Sequence, residues 1–404
     1  MRVVKEIQSQ QATMQYQRIA QLAFPDLNVM KWPTLKVHPN QHLYGLYEND
    51  QLLGGMRLFD FDMNVYGQYM PTGGLGLLAV DLLHKKEKVA RDLVQFFIEY
   101  YRQQNAAWAM LHPFNTHFYK QMGFGTGTEV RQYHVKPEAF PSHGSKAYLV
   151  HLTDSDKPNI MDCYNRFAAH NHGLFYRPKF ESELNRSYNA WSIIGYRSYS
   201  GRLTGYLIYS FQNDQLLIHE FVYESPAELK ALSRFLYDQR DQVDRIVLNT
   251  TDEAFYFLLD HPENGYHHMT DGFIADYHES YIAGVGPMYR VLNIKMVLES
   301  YGQQHANLTD TRFKLTINDP FMTDVHGDYW VTTSPEGIEV SRSEQSYDFA
   351  MKIGISEFSS LMMGTASFQN LYQIGLVELS DPEAYAVIQA IFPATKKPMC
   401  MTAF

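Results

Sequence analysis

The sequence predicts an α+β protein made of three consecutive modules, and three observations support this class. The chain has 404 residues, more than a single hydrophobic core usually serves. The order helix, hairpin, strand, helix, strand runs through residues 12–111 and recurs through residues 160–250. After the glycine-rich joint at residues 284–287, short strands are followed by helices and do not alternate with them.

In the first module, residues 12–24 form a partly apolar helix pattern that ends at a proline. Residues 44–59 form a hairpin pattern with its turn at residues 48–51. The apolar run at residues 75–80 is short enough for a buried strand. An amphipathic helix follows, with its apolar face at Val89, Leu93, Phe96, Phe97 and Tyr100. We expect the module to close with a strand at residues 129–135.

The second module follows a linker rich in proline, serine and glycine at residues 136–146. Its hairpin arms are residues 191–199 and 203–211, and a strand, a helix and a strand follow at residues 215–223, 226–239 and 245–250. The third section has strand patterns at residues 313–318, 327–333 and 337–341, and helix patterns at residues 355–364 and 382–392. The predicted domains are therefore 1–145, 146–285 and 286–404.

Composition narrows the function classes. Hydrophobic residues make up 45% and charged residues 19%, as in ordinary globular proteins. The net charge of -10 argues against a nucleic-acid partner. Cys163 and Cys400 are the only cysteines, which excludes a disulfide framework and favours a reducing compartment. No signal peptide, membrane-length apolar run or metal-binding spacing is present, so we expect a cytoplasmic protein without a membrane partner or metal.

The stretch from Gly73 to Gly125 carries the strongest chemical signal. The apolar strand is followed directly by His84, Lys85, Lys86 and Lys88, at the entry to the amphipathic helix. The N–H groups of a first helical turn have no partner within the helix, and the helix dipole favours negative charge there. A strand that leads into a helix through a basic turn therefore predicts an anion site.

This stretch resembles the acyl-CoA-binding core of GNAT N-acetyltransferases. Residues 85–90 are similar to the family's Gln/Arg-x-x-Gly-x-Gly/Ala turn, with Lys85 and Ala90 at its ends and Lys88 at the glycine position. Residues 118–124, FYKQMGF, resemble the family's FYxxxGF segment. The last section resembles a sterol-carrier-protein-type fold. In this order the three modules resemble the Eis (enhanced intracellular survival) family over essentially the whole chain.

The resemblance implies two tandem GNAT-like acyl-CoA N-acyltransferase modules followed by a sterol-carrier-protein-like domain. It implies acetyl-CoA as co-substrate in the first module. The second module has the acidic residues Glu224 and Glu228 where the basic turn would be, and these would repel a pyrophosphate. The cofactor-binding positions implied for the first module are Leu78, Ala79, Val80, Lys85, Lys86, Glu87, Lys88, Val89, Ala90, Arg91, Phe114 and Asn115.

Two residues are the candidates for catalysis. Tyr119, whose family counterpart lies beside the thioester sulfur, would protonate the departing thiolate, and a packed core tyrosine is the alternative. The chain ends on an apolar segment at Phe404, whereas termini are usually polar and frayed. A partly buried terminal carboxylate would have a raised pKa and become a usable base, as described for the Eis family. The alternative is a terminal strand that completes a sheet.

The expected activity is N-acetyl transfer to an amine by direct transfer in a ternary complex, because neither cysteine falls in the transfer motif. The resemblance implies aminoglycoside-like or lysine-like small-molecule acceptors and a homo-oligomer, a hexamer in relatives. Asp26, Glu48, Asp60 and Asp62 lie in segments that could line an acceptor cleft. Two alternatives remain open: an apolar-ligand-binding protein with an inert GNAT core, and a protein-lysine acetyltransferase.

Overall fold

A computed structural model describes residues 1–31, 39–178, 191–266, 268, 278–305, 308–402 and 404. Its strands, in chain order, are β1 (Arg2–Glu6), β2 (Gln41–Glu48), β3 (Gln51–Val65), β4 (Gln68–Val80), β5 (Trp108–Leu111), β6 (Gly125–Thr126), β7 (Val130–Val135), β8 (Leu149–His151), β9 (Ser192–Arg197), β10 (Leu203–Gln212), β11 (Gln215–Tyr223), β12 (Arg245–Thr250), β13 (Ile282–Gly284), β14 (Met288–Val291), β15 (Thr311–Asn318), β16 (Gly327–Ser334), β17 (Gly337–Ser341), β18 (Phe349–Gly354) and β19 (Val377–Leu379).

The α-helices of the same residues are α1 (Gln10–Ala23), α2 (Val89–Gln103), α3 (Thr116–Lys120), α4 (Lys157–Ala169), α5 (Pro226–Tyr237), α6 (Ile294–Gln304), α7 (Ile355–Met362), α8 (Phe368–Gln373) and α9 (Tyr385–Ile391). The chain divides into two compact units. The first contains residues 1–127, 287–397 and 402–404, and the second contains residues 128–286 and 398–401. Because distant stretches share sheets, these units do not follow the predicted ranges 1–145, 146–285 and 286–404.

The larger sheet of the first unit has the strand order β1-β2-β3-β4-β5-β14-β6. Only β4 and β5 pair in parallel. The predicted turn of the β2–β3 hairpin is confirmed: Asn49 and Asp50 have φ values of 48° and 62°. A two-residue turn with both φ values positive matches the strand twist, and Asn and Asp tolerate this conformation best after glycine.

The prediction that residues 129–135 close the first sheet is wrong. The strand β7 pairs with β12 and β13 in the second unit. In the first sheet β14, from the third section of the chain, lies between β5 and β6. An apolar alternation shows that a segment is a strand, but any strand with a compatible edge satisfies its backbone groups. The sequence pattern therefore cannot choose the partner.

The first unit also holds a five-stranded sheet of order β17-β16-β15-β18-β19. Its predicted strands and the helix α7 are confirmed, and the last predicted helix begins as a short 3-10 turn before α9. A buried ion pair lies within this unit: Arg290 of β14 pairs with Asp319, and both side chains are fully buried. Arg290 also donates to the carbonyl oxygen of Met122 at 2.7 Å. The third section is thus bonded directly to the FYKQMGF segment.

The second unit repeats the predicted plan around the sheet β13-β7-β12-β11-β10-β9-β8, in which β11 and β12 are parallel. One apolar cluster contains Ile160 and Phe167 of α4, and another contains Leu232 and Leu236 of α5. The helices α4 and α5 therefore each bury an apolar face against the sheet. No helix among the described residues is long and apolar enough to cross a membrane.

Candidate active site

The site begins where two parallel strands of the first sheet part. Residues 72–75 of β4 pair with residues 108–111 of β5, and the pairing stops there although β4 continues to Val80. Beyond Leu75, β4 keeps only its antiparallel partner β3 among the described residues. The edge of Leu78, Ala79 and Val80 that faces away from β3 is therefore open to an extended ligand, as an unpaired strand edge is to another strand.

A β-bulge turns the backbone at the same place. Gly55 pairs with Ala79 and Arg57 with Gly76, so two steps along β3 correspond to three along β4. Leu77, inside the bulge, has a φ of 45°, and its carbonyl oxygen accepts a hydrogen bond from the Tyr16 hydroxyl. Bulges of this kind redirect backbone groups and often lie beside active sites. The hydrogen bond from Tyr16 of α1 holds this bulge in place.

The basic turn adopts a conformation that usually selects glycine. Lys88 has a φ of 66° and a ψ of 8°, and Lys86 has a φ of 68°. The missing glycine of the family turn is thus replaced by a lysine in the left-handed region, which costs about 1–2 kcal/mol for a residue with a Cβ. The turn therefore has, in spite of the substitution, a backbone conformation that glycine adopts most readily.

The helix α2 begins directly after Lys88, and no side chain caps its first turn. Val89, Ala90 and Arg91 supply its first amides, while the side chains of Lys85, Lys86 and Lys88 are exposed. Glu87 and Asp92, the nearby carboxylates, both pair with Arg2 at 3.3 and 3.4 Å. Arg2 therefore offsets only part of the negative charge at this helix end, since it also pairs with Glu48 at 3.4 Å.

Tyr119 lies on α3, which is capped by Asn115 through a 2.9 Å bond from the Phe118 amide to the Asn115 side chain. The Tyr119 ring packs edge-on against Phe114, Phe118 and Phe124. Only 2% of the residue is exposed. Burial raises the pKa of Tyr119 well above the ordinary value for a phenol. Among the described residues none hydrogen-bonds its hydroxyl, which stays protonated and available as a donor.

The C-terminus lies on the β3–β4 ribbon beside the bulge. A Cβ atom placed on Gly76 would lie 2.8 Å from the carboxyl carbon of Phe404 and 3.1 Å from its oxygen. The Phe404 ring packs against Phe59 and Phe61, with centroids 5.4 and 5.1 Å apart. Residues 398–402 and 404 form no strand, so the alternative of a terminal strand is wrong. Gly76 instead gives the terminal carboxylate its place against the strand.

His112 follows β5 directly and contacts the C-terminal segment from the β5 side. Its Nε2–H donates to the carbonyl oxygen of Thr402 at 3.3 Å, and its ring lies 5.1 Å from that of Phe404. Part of the residue meets solvent, yet the packing around the ring lowers the pKa of His112, while the bond to Thr402 opposes this shift. His112 is therefore neutral at neutral pH and carries its proton on Nε2.

Gly76, His112, Phe59 and Phe61 were not among the predicted site residues. One signal was available, because a glycine inside a strand often marks a close approach by another group, and residues 73–76 contain three. Of the expected acidic residues, Asp60 accepts from the Tyr101 hydroxyl at 2.8 Å and contacts His42 at 2.8 Å. Strand alternation puts Asp60 and Asp62 on the face opposite to Phe59 and Phe61.

Phe114 and Asn115, expected at the cofactor, follow β5 at the rim, and Phe114 is 65% exposed. The corresponding turn of the second unit differs from the basic turn. Ser225 caps α5 by accepting from the Ala227 amide at 3.2 Å. Glu224 pairs with Arg166 at 2.6 Å. The described residues include no cluster of histidine, cysteine or carboxylate groups able to hold a metal ion, and Cys163 and Cys400 form no disulfide.

The chain matches known families in three consecutive stretches. Residues 7–127 and residues 173–283 each match an Acetyltransferase (GNAT) domain family, and residues 294–401 match the Sterol carrier protein domain family. No curated protein matches the chain in sequence.

Solved structures share the fold over the full length. A probable N-acyltransferase of unknown function from Enterococcus faecalis V583 has a TM-score of 0.83 at 19% identity and 100% coverage of both chains. A GCN5-related N-acetyltransferase from Anabaena variabilis has a TM-score of 0.81 at 17% identity and 98% coverage of both. Eis1 from Mycobacterium abscessus has a TM-score of 0.78 at 16% identity and 100% coverage of both.

The predicted class, two tandem GNAT modules followed by a sterol-carrier-like domain, is confirmed by the families and by the sheets. The predicted resemblance is confirmed too, since the chain has the two GNAT domains and the sterol carrier protein domain in the predicted order and shares its fold with Eis1. The chain therefore contains two GNAT acetyltransferase domains followed by a sterol carrier protein domain, and it shares its fold with Eis1 over the full length.

Proposed function

We propose that the protein transfers the acetyl group of acetyl-CoA directly to a primary amine of a small-molecule acceptor. One observation carries the proposal: the Phe404 carboxyl group lies against Gly76, next to the open edge of β4. A carboxylate beside a cofactor strand is well located to take a proton from an attacking amine. A primary amine is protonated in water at neutral pH, so it releases that proton to the solvent before it attacks, and its nitrogen then needs a base for the second proton that it loses as the amide forms.

The first unit fits acetyl-CoA. The open edge of Leu78, Ala79 and Val80 offers backbone groups to the amides of a pantetheine arm. The uncapped first turn of α2 and the lysines before it offer N–H groups and positive charge to a pyrophosphate. Bound acetyl-CoA would supply the activated acetyl thioester. In the second unit the cap by Ser225 and the acidic turn disfavour the same ligand.

The chemistry can be written with every proton assigned. The amine nitrogen forms a bond to the acetyl carbon as the carbon–sulfur bond breaks. The Phe404 carboxylate accepts a proton from that nitrogen, and the Tyr119 hydroxyl donates its proton to the departing sulfur. Exchange with water afterwards returns both groups to their starting states. The raised pKa of Tyr119 keeps the hydroxyl protonated at neutral pH, so that it can act as a donor toward the charge that develops on the sulfur.

A displacement of the carboxylate tests this mechanism most directly. Extension of the chain by one glycine beyond Phe404 moves the charge while it keeps the phenylalanine ring. We expect acetyl transfer to fall at least about hundredfold, as for removal of a general base, while acetyl-CoA binding and the melting temperature stay unchanged. The matched control, Phe404→Leu, keeps the carboxylate in place and should retain far more activity. Full activity of the extended protein would refute a role for the terminus.

The acceptor class follows from a panel of amines assayed by release of the free thiol. Aminoglycosides and lysine-like small amines are the proposed substrates, and a lysine peptide represents the protein-acetylating alternative. Calorimetry with acetyl-CoA distinguishes the alternative of an apolar-ligand-binding protein, for which no heat of binding is expected at millimolar ligand. The homohexamer and the cytoplasmic location remain predictions, which a mass measurement in solution and fractionation of cells would decide.

A further inference from the structure

The segment just before the C-terminus belongs to the second unit. Its backbone is bonded at every residue from 398 to 401. The Thr128 hydroxyl donates to the Pro398 carbonyl oxygen at 2.9 Å, and the Met399 amide donates to the His172 carbonyl oxygen at 2.8 Å. Two further bonds join the Cys400 amide to the Thr251 hydroxyl oxygen at 3.3 Å and Arg177 to the Met401 carbonyl oxygen at 3.3 Å.

These bonds lie where the parallel strands of the second sheet part. Residues 215–218 of β11 pair with residues 245–248 of β12, and beyond them the strands are not paired with each other. Thr251 follows β12 directly, as His112 follows β5 in the first unit. Met399 is 8% exposed and packs into the apolar cluster of α4. The equivalent gap in the sheet of the first unit, between β4 and β5, contains the open edge that we propose for the cofactor.

A buried ion pair orients the last of the four bonds. Arg177 and Glu220 are 2.7 Å apart and their side chains are 4% and 2% exposed. The Tyr206 hydroxyl donates to the second Glu220 oxygen at 2.6 Å, and the Arg177 guanidinium lies 3.6 Å from the Tyr164 ring centroid. Such a pair contributes little net stability, because desolvation offsets its attraction, but it holds one geometry. That geometry aims Arg177 at the backbone of residue 401.

We infer that the second GNAT module is the dock of the C-terminal segment and uses its sheet opening to hold residues 398–401 instead of acyl-CoA. Thr402 follows Met401 directly, so the dock limits where Phe404 can go. Three peptide links separate Met401 from Phe404, which gives an unanchored carboxylate a range of about 11 Å. The catalytic consequence rests on the proposed function, whereas the docking itself does not.

Two glycines of the second unit form a matched pair for the test. Gly173 and Gly201 both have positive φ values, 92° and 83°, so an alanine is strained to a similar degree at either site. At Gly173 the new Cβ would lie 2.6 Å from the Met399 carbonyl oxygen, whereas at Gly201 it meets nothing within 4 Å. Gly173→Ala therefore disturbs the docked segment, and Gly201→Ala controls for the backbone strain.

The first measurement is amide hydrogen exchange of the C-terminal peptide in the full-length protein. We expect the Met399 and Cys400 amides to exchange at least about tenfold faster in Gly173→Ala than in Gly201→Ala. A second pair of variants removes one hydroxyl each at nearly constant side-chain shape. Thr251→Val removes the acceptor of the Cys400 amide. Thr204→Val is its control, because the Thr204 hydroxyl bonds Glu228 and not the C-terminal segment. Equal exchange within both pairs would overturn the inference.

The second measurement separates the dock from the chemistry. If the dock positions the base, kcat falls about tenfold or more in Gly173→Ala with an unchanged KM for acetyl-CoA, while Gly201→Ala retains the wild-type kcat. Faster exchange together with an unchanged kcat would leave the dock standing and refute its role in the positioning of Phe404. Unchanged exchange refutes the dock whatever the activity of the glycine-extended protein.

Discussion

Gly76→Ala places one methyl group against the proposed base and 3.0 Å from the Phe59 ring that packs against Phe404. The new Cβ would lie 2.8 Å from the Phe404 carboxyl carbon, whereas ordinary contact begins near 3.4 Å. If the strand keeps its position, the carboxyl group retreats by about 0.6 Å, the difference between 3.4 and 2.8 Å. A misplacement of about 1 Å in a reacting group can cost roughly hundredfold in rate. We expect kcat to fall about ten- to hundredfold, or about 1.4 to 2.7 kcal/mol of transition-state stabilisation.

The substitution should not unfold the protein. The φ of Gly76 lies outside the left-handed region, so alanine fits its backbone conformation. Replacement of glycine by alanine in a compatible conformation stabilises by about 0.4–1 kcal/mol, which offsets part of the new contact. The melting temperature should therefore move by only a few degrees, and calorimetry should give an acetyl-CoA affinity close to that of the wild type.

Gly45→Ala is the matched control for crowding in the same sheet. Its Cβ would lie 2.5 Å from the Leu52 side chain and near Tyr47 and Ile7, away from the terminus. Steady-state release of the free thiol, at saturating acetyl-CoA and acceptor, gives kcat for both variants. If Gly76→Ala and Gly45→Ala have the same kcat within about twofold, the position of the Phe404 carboxylate does not limit the reaction.

Further predictions concern the acid, the turn and the buried ion pair. Tyr119→Phe should lower kcat by about 10²- to 10⁴-fold and leave the calorimetric acetyl-CoA affinity unchanged, and an equal kcat would exclude Tyr119 as the acid. Because burial raises the pKa of Tyr119, no alkaline decline of kcat below about pH 10 should come from its ionisation, which a pH–rate profile checks. Lys88→Gly should raise the free energy of unfolding by about 0.5–1 kcal/mol, because the strain of a positive φ that lysine carries exceeds the extra conformational entropy that glycine loses on folding. A lower free energy of unfolding in a urea titration would contradict this. Asp319→Asn leaves the Arg290 guanidinium buried beside a neutral group and should lower stability by about 3–5 kcal/mol in the same titration, while a loss below 1 kcal/mol would show that water reaches the pair.

Much of the first module could be predicted from the sequence because its signals are local. The hairpin turn at Asn49 and Asp50, the strand that leads into α2 and the FYKQMGF segment each depend on neighbours along the chain. The conformation of Lys88 could not be predicted in this way. A lysine indicates an ordinary backbone, whereas Lys88 has a positive φ in the structure.

The sequence by itself determined the module order, the class of chemistry and the side chain of the candidate acid, because helical and strand periodicity and short motifs encode them. Only the tertiary structure decided that β14 enters the first sheet, that β7 leaves it, and that Gly76 receives the carboxyl group of Phe404. These choices join residues from distant parts of the chain. Long-range pairing depends on which edges and cavities remain open after the local elements have packed, and no local pattern records that.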